Sequence, residues 1–377
     1  MRIALIVERF ESGGGGLEHA AWLTAHALAE AGESVTVVAR RAERSHQVAV
    51  VELPVSTLWQ PARVLRFAGR AAAWIADARR GGRIDLAHAW SRVPGADVFH
   101  TGEGSHWHYM RRSYGERGAR WRRASPRHAA QLRLERRIFA EPGLHVQCVS
   151  ALVERELAER FRLPRERLHR VPYGVDLARF APGDGSERRT LGSELDPACP
   201  SDAPRFLLAG SGWRRKGLDT ALRALAGMTT SRARLWVAGR DDRRPWQRLA
   251  ARLGVATRVR FLGPRRDLDR VYRAVDALLL PTRYDAFGMV CLEAAASGLP
   301  SALSATAGAA ELLSGAAVVI DDPEDAAGFS RALDRLCDPA ARKPLGERGR
   351  VIASENDWRQ QTERLRALYA RVPGSVT

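Results

Sequence analysis

The sequence predicts an α/β protein made of two Rossmann-like domains. Three observations carry this. Continuous apolar runs of strand length recur along the chain, amphipathic stretches of helix length separate them, and the alternation pauses near the middle and then restarts. At 377 residues the chain exceeds one ordinary core and suits two.

The first unit opens with "RIALIV" (2–7), a glycine-rich loop, "LEHAAWLTAHALAEAG" (17–32) and "SVTVVAR" (34–40), which spell strand, loop, helix and strand. Strands buried on both faces of a parallel sheet are apolar throughout, as these are. "LAHAW" (86–90), "DVFHT" (97–101) and "LHVQCVS" (144–150) read as further strands, the last followed by the helix "ALVERELAERF". The pattern restarts with strands at "RFLLAGS" (205–211), "ARLWVAGR" (233–240), "RVRFLG" (258–263) and "DALLLPT" (276–282), each separated from the next by a helical segment. Between the halves, "APGDGSERRTLGSELDPACPSDAP" (181–204) is rich in Gly, Pro, Ser and Asp and reads as a linker or surface insertion. "DWRQQTERLRALYARV" (357–372) reads as one amphipathic helix. Two such domains facing each other would leave a cleft at the carboxyl ends of their strands, where open sheets bind ligands.

Composition narrows the class. No apolar run approaches the roughly 20 residues of a membrane span. "MRIALIVERF" reads as a first strand and not as a signal segment, so a cytoplasmic protein is expected. Four cysteines without paired spacing fit free thiols, neither disulfides nor zinc ligands. The formal charge is +17, which calls for an anionic neighbour: nucleic acid, anionic lipid or a phosphorylated substrate. Of the 60 basic residues only Lys216 and Lys343 are lysine, so Lys216 stands out as a position suited to a compact ammonium.

Four stretches carry candidate chemistry. In "YDAFGMVCLEAAASGLP" (284–300) a helix is expected to start near Gly288, with the first-turn amides of Gly288, Met289 and Val290 facing the cleft as an anion site. Asp285 and Glu293 flank that start. They are either acceptors for sugar hydroxyls or, respectively, a helix cap and a solvated helix residue. In "GSGWRRKGLDTAL" (210–222), Arg214, Arg215 and Lys216 cluster in a glycine-rich turn at a helix start, an arrangement suited to adjacent phosphates. "ESGGGGLEH" (11–19) lacks a clean dinucleotide fingerprint and reads as a flexible loop at the cleft or a mobile turn. His100 in "DVFHTGEGSH" (97–106) ends a strand, either beside a reacting group or packed in the domain. His106 and His108 lack a third ligand, and "DLD" (267–269) reads as helix capping, so no metal is expected.

In this order along nearly the whole chain, "GGLEHAAWLTAHALAEAGESVTVVA", "VPYGVDLARF" (171–180), "GSGWRRKGLDTALRAL", "VRFLG", "AVDALLLPT" and the acidic pair Asp285 and Glu293 resemble a retaining GT-B glycosyltransferase of family 4. "VPGADVF" (93–99), the Arg-rich stretch after it and "RYDAFGMVCLEAAASGLP" are most similar to the lipopolysaccharide core glucosyltransferase I group. The resemblance implies an acceptor domain over 1–170, a donor domain over 171–355 and a helix over 356–377 returning to the N-terminal domain. It implies that Arg215 and Lys216 hold the donor diphosphate, Glu293 the ribose hydroxyls, and Asp285 the hexose. Asp285 is one methylene shorter than the family's usual glutamate. Ala286, Phe287, Gly288, Met289 and Val290 would line the donor, Gly15 and Gly16 would close over it, His100 would sit beside the transferred sugar, and Arg179 would assist. The donor implied is a nucleotide sugar, UDP-glucose in this group, with no cofactor and no metal, and the enzyme is expected to act as a monomer. The acceptor implied is a lipid-linked heptose.

The segment 106–137 interleaves Arg111, Arg112, Arg117, Arg120, Arg122, Arg123 and Arg127 with Trp107, Tyr109, Tyr114 and Trp121. Cations beside interfacial aromatics fit an anionic membrane surface, and Arg111, Arg112, Arg120, Trp121, Arg122 and Arg123 are the candidate contacts for a peripheral protein. The alternatives are a solvated basic surface, a nucleic-acid-binding protein without a recognisable binding module, and a nucleotide-sugar epimerase on the same fold.

Overall fold

A computed structural model describes residues 1–372. The chain divides into two compact units, Met1–Gly174 together with the segment from Trp358 onward, and Val175–Asp357.

In the first unit, β1 (Arg2–Phe10), α1 (Gly16–Glu30), β2 (Ser34–Ala42) and β3 (Ala49–Glu52) are followed by α2 (Gln60–Arg80), β4 (Leu86–Ala89) and β5 (Val98–His100). Next come α3 (His106–Arg122), α4 (Pro126–Phe139), β6 (His145–Cys148), α5 (Ala151–Phe161) and β7 (Leu168–Arg170). The strands form one sheet in the order β3-β2-β1-β4-β5-β6-β7, with every pairing parallel. Residues 3–7 of β1 and all of β4 and β5 are buried, which fits the apolar run that opens the chain.

The second unit contains α6 (Gly185–Leu195), β8 (Arg205–Ala209), α7 (Leu218–Gly227), β9 (Arg234–Ala238), α8 (Arg244–Arg252), β10 (Val259–Gly263) and α9 (Leu268–Arg273). It continues through β11 (Ala277–Leu280), α10 (Met289–Ala296), β12 (Ser301–Ser304), α11 (Ala309–Leu312), β13 (Ala317–Ile320), α12 (Ala326–Leu336) and α13 (Pro339–Ser354). Its parallel sheet runs β10-β9-β8-β11-β12-β13. The chain order reverses between β8 and β11, so the loops after these two strands flank the switch point where doubly wound sheets bind ligands. Phe206, Leu208, Leu222, Leu235, Leu279 and Phe329 form the centre of a core that fixes both strands.

The final helix, α14 (Trp358–Tyr369), belongs to the first unit and packs on α1. Tyr369 shares a 2.8 Å hydrogen bond with His88 of β4, and Arg366 donates to Glu33 at 2.8 Å.

Two local expectations are corrected. The stretch 181–204 is not merely linker. Asp184 caps α6 through the amides of Ser186 and Glu187, and the buried Arg205 guanidinium donates to the carbonyls of Arg188, Ser201 and Ala274. Nor do the aspartates of 267–269 act as side-chain caps: Asp267 pairs with Arg265, and Asp269 accepts from Arg179 and Arg273. No helix among the described residues is long and apolar enough to cross a membrane.

Candidate active site

The turn after β8 is held from two sides. Asp241 accepts the amides of Gly212 at 2.8 Å and Trp213 at 3.1 Å, while the carbonyl of Arg215 accepts from the Arg283 amide and the Thr282 hydroxyl. Gly217 sits in the left-handed region at φ +74° and presses against β11's exit. A Cβ there would lie 1.9 Å from the carbonyl oxygen of Pro281. Only glycine tolerates both conditions. The stem of Lys216 passes directly over Gly210, where a Cβ would meet Cε at 2.6 Å.

This packing delivers the cations to one carboxylate. Lys216 Nζ donates to Asp285 Oδ2 at 3.1 Å, and Arg215 Nη1 lies 3.5 Å from the same oxygen while donating to the Tyr284 carbonyl at 2.6 Å. Lys216 is only 6% exposed. Burial pushes the Asp285 carboxyl up, but Lys216 and Arg215 more than offset this and hold it below its ordinary range. Asp285 is therefore an ion-pair partner and not a helix cap. Its backbone is pinned by the carbonyl of Thr306 and the amide of Gly308. Arg214, by contrast, is exposed, and all three basic residues lie in the turn preceding α7.

Gly288, at φ +87°, is the N-cap of α10, with Met289 and Val290 in the first turn, where a helix offers its own amides no acceptor. The side chains of Ala286 and Phe287 are buried. One turn into α10, Glu293 accepts the Tyr272 hydroxyl at 2.9 Å. Burial raises its carboxyl above the ordinary range, and Tyr272, Arg179 and Lys216 pull the other way. Glu293 is thus half-buried and partnered, not a solvated helix residue. Tyr272 was not singled out from sequence; a tyrosine on an apolar helix face requires a partner for its hydroxyl, and that was the available signal.

Arg179 reaches this region but is engaged. Its Nε lies 3.4 Å from Asp269 Oδ1, and Nη2 donates to the Arg266 carbonyl. Two cations over one carboxylate, beside a helix N-terminus, leave an excess of positive potential suited to an anion.

Gly15, Gly16 and His100 lie in the first unit, at the carboxyl ends of β1 and β5. Gly15 is the N-cap of α1 and Gly16 its first residue, both exposed. The loop before them is tied by Ser12, whose amide and hydroxyl donate to Glu43. His100 is 2% exposed and hydrogen-bonded at both ring nitrogens.

In the basic segment, Gly115 at φ +70° breaks α3 in two. Arg111 pairs with Glu116, Arg112 lies 3.5 Å from Glu156, Arg122 stacks over Tyr114, and Arg123 over Trp107. Trp107, Tyr109 and Tyr114 are half-buried, whereas Trp121 is 84% exposed. Arg120, Arg122 and Arg123 are exposed beside it. The exposed aromatic of this surface is Trp121 alone of the four expected.

Two parallel-sheet α/β units, one carrying a cationic turn opposite an acidic helix start at its switch point, define a protein of the doubly wound class built to bind a phosphorylated ligand. Residues 14–179 match the family model described as Glycosyltransferase Family 4, and residues 203–338 match that of Glycosyl transferases group 1. Each unit thus matches a glycosyltransferase model, and the chain is a glycosyltransferase with the GT-B fold. It is 33% identical over 219 residues to a D-inositol 3-phosphate glycosyltransferase of Corynebacterium kroppenstedtii, covering 54% of this chain and 48% of that one. The chain thus spans about half the length of these relatives. It is 27% identical over 294 residues to the lipopolysaccharide glucosyltransferase WaaG of Escherichia coli K12, covering 76% and 77% of the two chains. Among solved structures, WaaG, a glycosyltransferase involved in lipopolysaccharide biosynthesis, superposes with a TM-score of 0.81 at 23% identity over 99% and 100% of the two chains. Anabaena HepE in complex with UDP-glucose superposes at 0.71 and 16% identity, over 98% and 99%.

Proposed function

We propose that the protein transfers a hexose, with retention of anomeric configuration, from a nucleoside diphosphate sugar to a lipid-linked acceptor. The donor is UDP-glucose and the acceptor an inner-core heptose of lipopolysaccharide at the inner face of the membrane. The observation that carries this reading is the convergence of Arg215 and Lys216 on Asp285 beside the first turn of α10. The likeness to WaaG supports the acceptor class, and the UDP-glucose bound by HepE supports the donor.

Breaking the anomeric bond moves negative charge onto the departing diphosphate. Arg215, Lys216 and the amides of Met289 and Val290 are preorganised to stabilise that charge more in the transition state than in the ground state. In the free protein Asp285 neutralises one of the two cations; with donor bound, its acceptor-only carboxylate is suited to the hexose hydroxyls. Glu293, held by Tyr272, accepts from the ribose hydroxyls in this reading. The acceptor hydroxyl attacks from the face the diphosphate leaves, and a diphosphate oxygen takes its proton. These cations supply the stabilisation that a divalent metal gives elsewhere.

The test is incubation with UDP-glucose and a deacylated heptose-terminated core oligosaccharide in EDTA. The expected outcome is UDP release coupled to an α-linked product. No transfer, or transfer with inversion, contradicts the proposal. The relatives that are D-inositol 3-phosphate glycosyltransferases support a second reading, an inositol phosphate acceptor, and the same assay with that acceptor separates the two.

Trp121, Arg120, Arg122 and Arg123 form the membrane-facing surface, each basic side chain contributing about 1 kcal/mol near an anionic bilayer. Charge reversal at the three arginines is expected to reduce cosedimentation with phosphatidylglycerol vesicles by at least tenfold. Unchanged cosedimentation removes the membrane assignment.

A further inference from the structure

Arg283, just past the end of β11, clamps the cationic turn with its guanidinium. Nη1 donates to the Arg214 carbonyl at 2.6 Å and to Asp219 Oδ1 at 3.0 Å, and Nη2 donates to Asp219 Oδ2 at 2.8 Å. Nε donates to Glu324 Oε1 at 3.1 Å. Asp219 lies in the first turn of α7, so one planar fork joins the exit of β11 to the turn after β8 and to the helix that follows it. The Arg283 amide also donates to the Arg215 carbonyl at 2.8 Å. The carbonyls of Arg214 and Arg215 belong to the two peptide planes on either side of the Arg215 Cα. Residue 283 thus holds both planes, one through its side chain and one through its backbone, and together they set φ and ψ of Arg215. From this backbone the side chains of Arg215 and Lys216 reach Asp285.

We propose that Arg283, clamped to Asp219, is a positioning residue: it fixes the backbone of Arg215 so that Arg215 and Lys216 converge on one anion. This rests on the reading of those two cations as ligands of the diphosphate. Arg283 acts through the turn and not on the ligand, because its guanidinium is engaged by two carboxylates and a carbonyl. Asp219 carries the wrong sign for an anion site, and the clamp gives it a role there. Burial pushes its carboxyl up, but Arg283 more than offsets this and holds it below its ordinary range, so the pair stays ionised. The side chains of Arg283 and Asp219 are 15% and 21% exposed, which with the bidentate geometry sets them apart from a solvated surface pair. Glu324 is largely exposed and adds little, and Arg223 lies 3.7 Å from Asp219, beyond hydrogen-bond reach.

The test is calorimetric titration of the full chain with UDP and with uridine in EDTA, on wild type, Lys216→Ala, Arg283→Lys and Asp219→Asn, with a thermal melt of each. Arg283→Lys keeps the charge and loses the fork. Asp219→Asn makes the surroundings of the turn more positive. Electrostatics alone therefore gives unchanged UDP affinity in the first variant and tighter UDP binding in the second. The clamp gives the opposite sign: UDP affinity is expected to fall about tenfold in both, with uridine affinity unaltered. A role confined to stability would lower the melts and keep the wild-type ratio of UDP to uridine affinity. That ratio in the folded variants, or tighter UDP binding by Asp219→Asn, overturns the proposal. Should Asp219→Asn not fold, Arg283→Lys decides. A preference for UDP that is lost in Lys216→Ala but kept in both clamp variants overturns the positioning role alone. Equal binding of UDP and uridine by wild type overturns the diphosphate reading and the clamp with it.

Discussion

Lys216→Ala is expected to lower kcat by about 10²–10³-fold, as loss of one preorganised donor at a developing anion does elsewhere, while the folded state survives. The asymmetry follows from the local geometry. Lys216 is buried against Asp285, but Arg215 approaches the same carboxylate oxygen at 3.5 Å, so truncation leaves Asp285 with a cation. The transition state lacks such a substitute, because Arg215 makes its own contact with the diphosphate and cannot also supply the missing ammonium. Lys216→Arg should not restore activity. The lysine stem runs over Gly210, and a guanidinium presents a planar fork in place of a compact ammonium. Steady-state kinetics with a thermal melt of each variant checks this. Near-normal turnover in Lys216→Ala removes the diphosphate assignment.

Gly217→Ala is the largest expected stability effect. The substitution combines a positive φ with a Cβ that would lie 1.9 Å from the Pro281 carbonyl oxygen. Backbone cannot move aside there without disturbing β11, so the cost is about 3–5 kcal/mol. For a unit of this size that corresponds to a fall in Tm of roughly 10 °C. Because the same contact brings the cationic turn to Asp285, donor binding should weaken with stability. A melt within a degree or two of wild type contradicts the account of this turn.

The strands and helices with strong apolar patterning were legible in the sequence, and so was the pairing of a cationic turn with the start of α10. The strands β3, β7, β12 and β13 were not: β3, β7 and β13 are half-exposed sheet edges, without the burial on both faces that marks β4 and β11, and β12, "SALS", is buried but begins and ends with serine. The helix within 181–204 escaped notice because its buried apolar side chains are only Leu191 and Leu195, and it rests as much on the Asp184 cap and the buried Arg205. At the site, residue types were readable but partnerships were not. Asp285 could cap a helix or face a cation, and only the fold brings Lys216 to it across 69 positions. Tyr272 escaped notice because its hydroxyl bears on the site only through Glu293, which composition and spacing do not reveal. The basic segment showed the opposite failure. Its interleaved aromatics suggested four interfacial anchors, but three are half-buried and two of these carry arginines stacked on their rings.

The central claim is that Arg215 and Lys216 receive the diphosphate. Calorimetric titration in EDTA with UDP and with uridine, on wild type, Lys216→Ala and Arg215→Ala, isolates the contribution of the two phosphates to each side chain. The account predicts that wild type binds UDP far more tightly than uridine, and that each substitution removes most of that difference while leaving uridine affinity unchanged. Equal binding of UDP and uridine by wild type, or an undiminished preference for UDP in both variants, would contradict it.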